Sequence, residues 1–349
     1  MAANADISAD GSRSAILVIG PAWVGDMVMA QSLVGALKQR WPDRPVDVVA
    51  PGSTRPLLGY MPGVRASIGQ RLGHGQFNLK ARRTMGRALR DAGYGTAIVL
   101  PRSWKSALVP YFAGIPERIG YWGEARIRLL THPRRLDKSA LPRTVDRFVA
   151  LAGPARGPAP EVISPTLNVD PTDTERALAR LELEDGQARI LALCPGAEYG
   201  PAKRWPSRHG ATLAAQAVSA GWTVWLIGGP GDRQIAEEIK TGVGEQLNGI
   251  RNLAGETDLA EAVALLARAD AVVSNDSGLM HVAAALGRPQ IALFGSSSAA
   301  HTPPLSDKAQ VLSLDLECQP CFKRECPLGH FDCLNKLMPA QVFQALDRL

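Results

Sequence analysis

AVVSNDSGLMHVAAALGRPQIALF, residues 271–294, holds the clearest statement of the fold in the chain. Ala271–Ser274 is an apolar run without alternation, the pattern of a strand buried on both faces. Asn275 to Gly278 form a polar, glycine-containing turn. An Ala-rich helix, Gly278–Leu286, follows, and then a second short apolar run at Gln290–Phe294. A strand, a helix and a second strand at these lengths predict a parallel sheet covered by helices.

The same rhythm runs outward in both directions. Further strands are expected at Ala15–Gly20, Val46–Ala50, Thr96–Leu100, Ile190–Cys194 and Thr223–Gly228. Helical patterns lie between them at Val28–Arg40, Lys80–Ala92, Ala211–Ala220 and Leu259–Ala269. The stretch PARGPAPEVISPTLNVDP at 154–171 has five prolines and little periodicity, and reads as a linker. The fold class is therefore α/β: two Rossmann-like domains, expected at 1–160 and 161–335, with a closing helix at 336–349 packing back toward the first. Ligands of such folds sit outside the carboxyl ends of the strands, so the active site is expected in a cleft where the two domains face each other.

The composition is that of an ordinary globular protein, with 46% hydrophobic and 21% charged residues over 349 positions. No apolar run reaches the ~18 residues of a membrane-spanning helix. The opening MAANADISADGSRS lacks an apolar signal core and reads as a disordered lead-in. Both features point to the cytoplasm or the cytoplasmic face of a membrane. The net charge of +6 hides an asymmetry: residues 1–170 carry 23 Lys and Arg against 12 Asp and Glu, and the remainder 16 against 21. A basic half beside an acidic half suggests that one domain meets a polyanion, against the plainer alternative of a solvated Arg-rich surface.

Four loops carry the candidate chemistry. Gly20-Pro21-Ala22-Trp23-Val24-Gly25-Asp26 joins the first strand to the first long helix; its spacing is not that of a dinucleotide fingerprint. Asp26 is either a helix cap or a carboxylate that the helix dipole keeps ionised, able to take a proton from a hydroxyl. Cys194-Pro195-Gly196-Ala197-Glu198-Tyr199-Gly200-Pro201-Ala202-Lys203-Arg204 follows the first strand of the second domain. Gly196 and neighbouring backbone N–H groups, with Lys203, suit a diphosphate. In Ser274-Asn275-Asp276-Ser277-Gly278-Leu279-Met280-His281, the N–H groups of Ser277 and Gly278 would point at an anion, Asp276 would orient hydroxyls and His281 would reach a phosphate. Helix capping and a partly buried histidine are the competing readings. Gly228-Gly229-Pro230-Gly231-Asp232 is a weaker candidate for holding a ribose through Asp232.

Cys318, Cys321, Cys326 and Cys333, with His330 nearby, look like a compact zinc knot, although the spacing is not a standard template. Separate thiols are the alternative; disulfides are disfavoured in a reducing cytosol. No HExxH or carboxylate cluster suggests a catalytic metal.

Taken together the motifs resemble the ADP-heptose:lipopolysaccharide heptosyltransferases. The carrying stretches are ILVIGPAWVGDMVMAQSL (16–33), LGHG (72–75), KSALVPYFAGIPERIGY (105–121), CPGAEYGPAKRWP (194–206), NLAGETDLAEAVALLARADAVVSNDSGLMHVAAALGRP (252–289), FG (294–295) and TPPLS (302–306). GPAWVGDMVMAQSL and PGAEYGPAKRWP favour the second member of that family over the first; the first and third share its fold. The resemblance implies a GT-B fold, inversion at the anomeric carbon and no metal or cofactor required for catalysis. It implies ADP-heptose as donor and heptosyl-Kdo2-lipid A as acceptor. By the same resemblance Asp26 is the base, Lys203 neutralises the donor phosphates, and Asp276, Ser277, Gly278 and His281 bind the donor; Asp232 as a ribose ligand is a looser transfer. The late cysteines are absent from some relatives, so they are not expected to carry the chemistry.

The basic first domain would then hold the anionic acceptor and touch an anionic inner-membrane surface, with Lys80, Arg82, Arg83, Arg102, Lys105 and Arg143 as candidate contacts. A sugar-nucleotide epimerase can share the architecture, but its single soluble substrate gives a basic domain no purpose. Nucleic acid is not an expected partner: aromatics are 5% of the chain and no RNP, KH or helix-turn-helix pattern is present.

Overall fold

The computed structural model describes residues 14–70, 77–183, 186, 188–244 and 248–349. The lead-in up to Arg13 and the LGHG stretch lie outside the described residues. The chain divides into two compact units, Met1–Pro165 and Thr166–Leu349. The break falls inside the proline-rich stretch, slightly later than the expected 160/161.

The first unit has six strands: β1 (Ala15–Ile19), β2 (Val46–Pro51), β3 (Val64–Gln70), β4 (Tyr94–Val99), β5 (Glu117–Tyr121) and β6 (His132–Arg134). All pairings are parallel and the order is β3-β2-β1-β4-β5-β6. Its helices are α1 (Val24–Arg40), α2 (Leu79–Ala88), α3 (Leu108–Phe112) and α4 (Thr144–Val149). β1 is buried at all five positions. Leu17, Ile19, Val49, Ala97 and Val99 meet Val109, Ala113 and Ile115 in one cluster. Burying side chains of this size stabilises by ~1.5–3 kcal/mol each.

The second unit repeats the plan. Its strands are β7 (Arg189–Cys194), β8 (Trp222–Leu226), β9 (Ile250–Asn252), β10 (Ala271–Asn275), β11 (Gln290–Phe294) and β12 (Ala309–Ser313), all parallel, in the order β12-β11-β10-β7-β8-β9. Its helices are α5 (Pro171–Arg180), α6 (Ser207–Ser219), α7 (Arg233–Val243), α8 (Leu259–Arg268), α9 (Gly278–Ala285), α10 (Asp332–Asn335) and α11 (Pro339–Leu346). Sequence chemistry fixes several starts. Asp258 and Glu261 form a reciprocal capping box on α8, and Asp170 caps α5 ahead of Pro171.

The closing helix corrects an expectation. It was to pack back toward the first domain, but Val342, Ala345 and Leu346 of α11 are buried in the second unit's own core, with Leu334 and Leu337. The Trp205 indole N–H donates to the Leu337 carbonyl at 2.8 Å, fastening the segment there. Apolar positions three and four apart on so short a helix need a continuous apolar partner, and the second sheet provides it.

Both sheets are doubly wound and reverse direction between two adjacent central strands: β1 and β4 in one, β7 and β10 in the other. Such reversals part the loops at the carboxyl ends and leave room for a ligand. The loops at these points are 20–26 and 100–106, and 195–206 and 276–281.

Candidate active site

In the second unit, Asn275 ends β10 with its side chain buried. Its Oδ1 accepts the Trp205 N–H at 3.1 Å and its Nδ2 donates to the Pro195 carbonyl at 2.7 Å. One amide thus ties the loop after β7 at both ends. Between those ties the loop carries Lys203, whose Nζ lies 2.6 Å from Asp276 Oδ2; their side chains are 18% and 5% exposed. The ammonium also lies 5.1 Å above the Tyr199 ring. So the structure brings Lys203 and Asp276 together across 73 positions of sequence.

Ser277 is the N-cap of α9 with an extended backbone and no side-chain cap bond. Its hydroxyl lies 3.2 Å from that of Ser274, which also donates to the Asn275 carbonyl. The first N–H groups of α9, from Gly278 on, have no carbonyl of their own turn to bond.

His281 lies on α9, one turn in from Ser277. It is buried, and desolvation pushes its pKa down to about 4, with Asp276 opposing and Lys203 reinforcing the shift. The imidazole is therefore neutral near pH 7. Because the folded pKa lies below the unfolded one, the folded state binds fewer protons between pH 6.5 and about 4. Stability is complete above that window and falls as pH drops through it, by on the order of 3 kcal/mol. Denaturant titrations at pH 7 and pH 4.5 should show this loss in the wild type and a smaller one in His281→Gln.

Asp232 does reach the first loop. Its carboxylate accepts the Gly229 N–H at 3.0 Å. A Cβ built on Gly196 would lie 2.2 Å from Asp232 Cγ, and one on Gly228 would lie 2.8 Å from its Cβ. Burial raises the Asp232 pKa, opposed by the Gly229 N–H and by Arg204. Gly196 is therefore required because the carboxylate occupies the space of a side chain. Gly196→Ala should displace Asp232 and destabilise the second unit by ~1–3 kcal/mol, the usual cost of overpacking, measured by denaturant titration.

The late cysteine segment braces the Lys203 loop. Tyr199 Oη donates to the Phe322 carbonyl at 2.9 Å, Arg324 Nε donates to the Tyr199 carbonyl at 2.6 Å, and the Ala202 N–H donates to the Arg324 carbonyl at 3.0 Å. Gly200 lets the strands of this clamp approach: a Cβ there would meet the Arg324 oxygen at 2.6 Å.

Cys318, Cys321, Cys326 and Cys333 line one cavity of about 20 Å³, and all four are free thiols. The structural metal expected at them is not supported, because among the described residues no group of three or more His, Cys, Asp or Glu side chains is arranged to hold an ion. Cys326 Sγ instead accepts the Phe331 N–H at 3.4 Å, and such backbone donors lower its pKa. Cys333 is shifted the other way, by burial and by the other three cysteines.

In the first unit, Asp26 stands in the first turn of α1, half-buried. It is not the cap: that position belongs to Trp23, with an extended backbone. The turn before it is pinned by the Gly20 N–H on the Val49 carbonyl at 2.9 Å, and by Met27, which packs where a Gly20 side chain would project. Asp26 thus sits at the carboxyl end of β1, and Arg102 at that of the adjacent β4. Lys80, Arg83 and Arg102 are exposed and Lys105 is partly so. Two other candidates already have partners within the unit. Arg82 is buried and donates to the Lys105 carbonyl at 3.1 Å; Arg143 is engaged with Asp146 at 2.6 Å.

Sequence reasoning did not single out Asn275 as a strut, or Tyr199 as the floor beneath Lys203. It also passed over Ser296 and Ser297 after β11, whose buried hydroxyls have no hydrogen-bond partner among the described residues.

Comparison with known proteins fits this arrangement. The profile of glycosyltransferase family 9 (heptosyltransferase) matches residues 82–332. The lipopolysaccharide heptosyltransferase 2 of Escherichia coli K12 is 45% identical over 341 residues, covering 96% of this chain and 98% of that protein. The lipooligosaccharide heptosyltransferase 2 of Haemophilus influenzae is 44% identical, covering 96% and 99%. The solved structure of the E. coli ADP-heptose lps heptosyltransferase II superposes with a TM-score of 0.85 at 44% identity, covering 96% and 98%. With two Rossmann-like units in a GT-B chain, a family profile over residues 82–332 and relatives about 45% identical over nearly its whole length, this chain belongs to glycosyltransferase family 9, the heptosyltransferases.

Proposed function

We propose that the protein is an inverting glycosyltransferase that moves L-glycero-D-manno-heptose from ADP-heptose to the first heptose of the lipopolysaccharide inner core. The acceptor hydroxyl gives its proton to Asp26 as its oxygen attacks the donor's anomeric carbon. The bond from that carbon to the phosphate oxygen breaks, and ADP leaves with the electron pair. Lys203 and the first N–H groups of α9 stabilise the charge that grows on the pyrophosphate. These fixed cations and amides do the work a divalent cation would otherwise do. The observation that carries the reading is Lys203 held against Asp276 beside the start of α9, in a chain so similar to proteins of this name over nearly its whole length.

In the resting protein Asp276 occupies Lys203. An arriving diphosphate has the higher charge and takes the ammonium over, which frees Asp276 for sugar hydroxyls. Gly196 brings backbone to the phosphates, and Asp232 beside it serves the ribose.

The acceptor is heptosyl-Kdo2-lipid A, whose phosphates and carboxylates suit the exposed cations Lys80, Arg83 and Arg102 and the partly exposed Lys105. It is lipid-borne, so the protein works on the cytoplasmic face of the inner membrane. Neutralising Lys80, Arg83 and Arg102 together should raise acceptor KM and flatten its salt dependence while leaving ADP-heptose affinity unchanged. The assignment itself is tested by product analysis with ADP-heptose and acceptors bearing zero, one or two heptoses. Turnover of the one-heptose acceptor alone is expected; preference for either of the others overturns it.

A further inference from the structure

Of the six large apolar side chains exposed between Phe77 and Ile127, five, all but Tyr111, group together. Phe77 is 52% exposed, Leu79 46%, Trp104 39%, Trp122 50% and Ile127 49%. Their loops are joined. The Phe77 and Trp104 rings stack with centroids 4.9 Å apart. The Trp104 N–H donates to Glu124 at 3.0 Å, which brings the loop of Trp122 and Ile127 alongside. The Gly123 backbone lies so close to the Arg102 carbonyl that a Cβ would meet it at 2.9 Å. Beneath them the buried Arg126 binds the carbonyls of Pro101, Ser103 and Tyr121. These side chains therefore sit on one framework at the carboxyl ends of β4 and β5.

The setting is strongly basic. Residues 77–135 contain 12 Lys and Arg against three acids. Two of the acids are engaged internally: Glu124 with the Trp104 N–H, and Glu117 with the Thr96 hydroxyl at 2.9 Å. Lys80, Arg83, Arg102 and Arg128 are exposed on the same elements.

Exposed tryptophans, aliphatics and cations without balancing acids have a specific partner in physical terms. Indole rings settle at the boundary between lipid headgroups and acyl chains, and Lys and Arg are drawn to anionic headgroups. A polar protein surface would gain nothing from Leu79 and Ile127, and stacked nucleic-acid bases would use rings but not these aliphatics. We propose that this aromatic and cationic face seats the first unit on an anionic lipid bilayer, with Trp104, Trp122 and Ile127 entering the headgroup layer. The proposal rests on the lipid-borne acceptor only for its biological setting; bilayer binding itself requires no saccharide.

The test uses the full chain and vesicles free of lipopolysaccharide. Wild type should co-sediment with phosphatidylcholine vesicles containing phosphatidylglycerol and far less with pure phosphatidylcholine. The triple variant Trp104→Ser, Trp122→Ser, Ile127→Ser, all at exposed positions, should lose binding at least ten-fold. It should keep its transfer to a deacylated, water-soluble acceptor and lose transfer to acylated acceptor in vesicles. Equal sedimentation of variant and wild type overturns the proposal, as does absence of wild-type binding to anionic vesicles. Loss of transfer to the soluble acceptor with vesicle binding intact also overturns it, placing these side chains in sugar recognition. Wild-type vesicle binding without transfer to any acceptor would overturn the proposed activity while leaving the bilayer face standing.

Discussion

Asp26→Asn lowers kcat by about 10²–10⁴-fold, the usual worth of a positioned general base. The amide keeps the shape of the first turn of α1 and cannot accept the acceptor's proton. ADP-heptose affinity, measured by titration without acceptor, stays near wild type, since the residues proposed to bind the donor all lie in the other compact unit. Turnover near the wild-type rate would remove Asp26 from the mechanism. A parallel loss of donor affinity would mean that the substitution had disturbed more than a proton transfer.

Lys203→Ala has the second large effect. It removes the cation from the leaving group, and loss of one such preorganised charge typically costs 10²–10³-fold in rate. It also leaves Asp276, only 5% exposed, without its partner. An unpaired buried carboxylate repels the pyrophosphate that must dock beside it, so KM for ADP-heptose rises as kcat falls. The double variant Lys203→Ala/Asp276→Asn separates the two contributions. It should recover part of the donor affinity but not the rate. If the single variant changed only KM, the lysine would serve binding and not the departure of ADP.

How much of this could be read in the sequence follows from where each element lies. β1, β2, β4, β7, β8, β10 and β11 were all legible because central strands of parallel sheets are apolar on both faces. β3, β5, β6, β9 and β12 were not. β6 and β9 have three residues each, β5 opens on Glu117-Arg118, and β3 has no fully buried position. Flanking strands such as these lack the signal. α1 begins at Val24, four residues before the expected Val28, because Gly25 and Asp26 resemble a turn when read locally.

The site loops were legible as motifs, since glycines and polar residues at strand ends have few other uses. Their connections were not. Nothing local says that Lys203 meets Asp276, that Asn275 spans Pro195 and Trp205, or that the Asp232 carboxylate fills the space above Gly196. Each depends on the reversal of strand order between β7 and β10. The cysteine spacing was legible as a cluster, and the four side chains do line one cavity.

The brace on the Lys203 loop comes from residues more than 120 positions downstream: Phe322 meets Tyr199 across 123, and Arg324 meets it across 125. During synthesis, then, the loop after β7 stays unbraced until more than 120 further residues have been added. A polypeptide released before Arg324, even with Lys203 and Asp276 both present, would lack that brace.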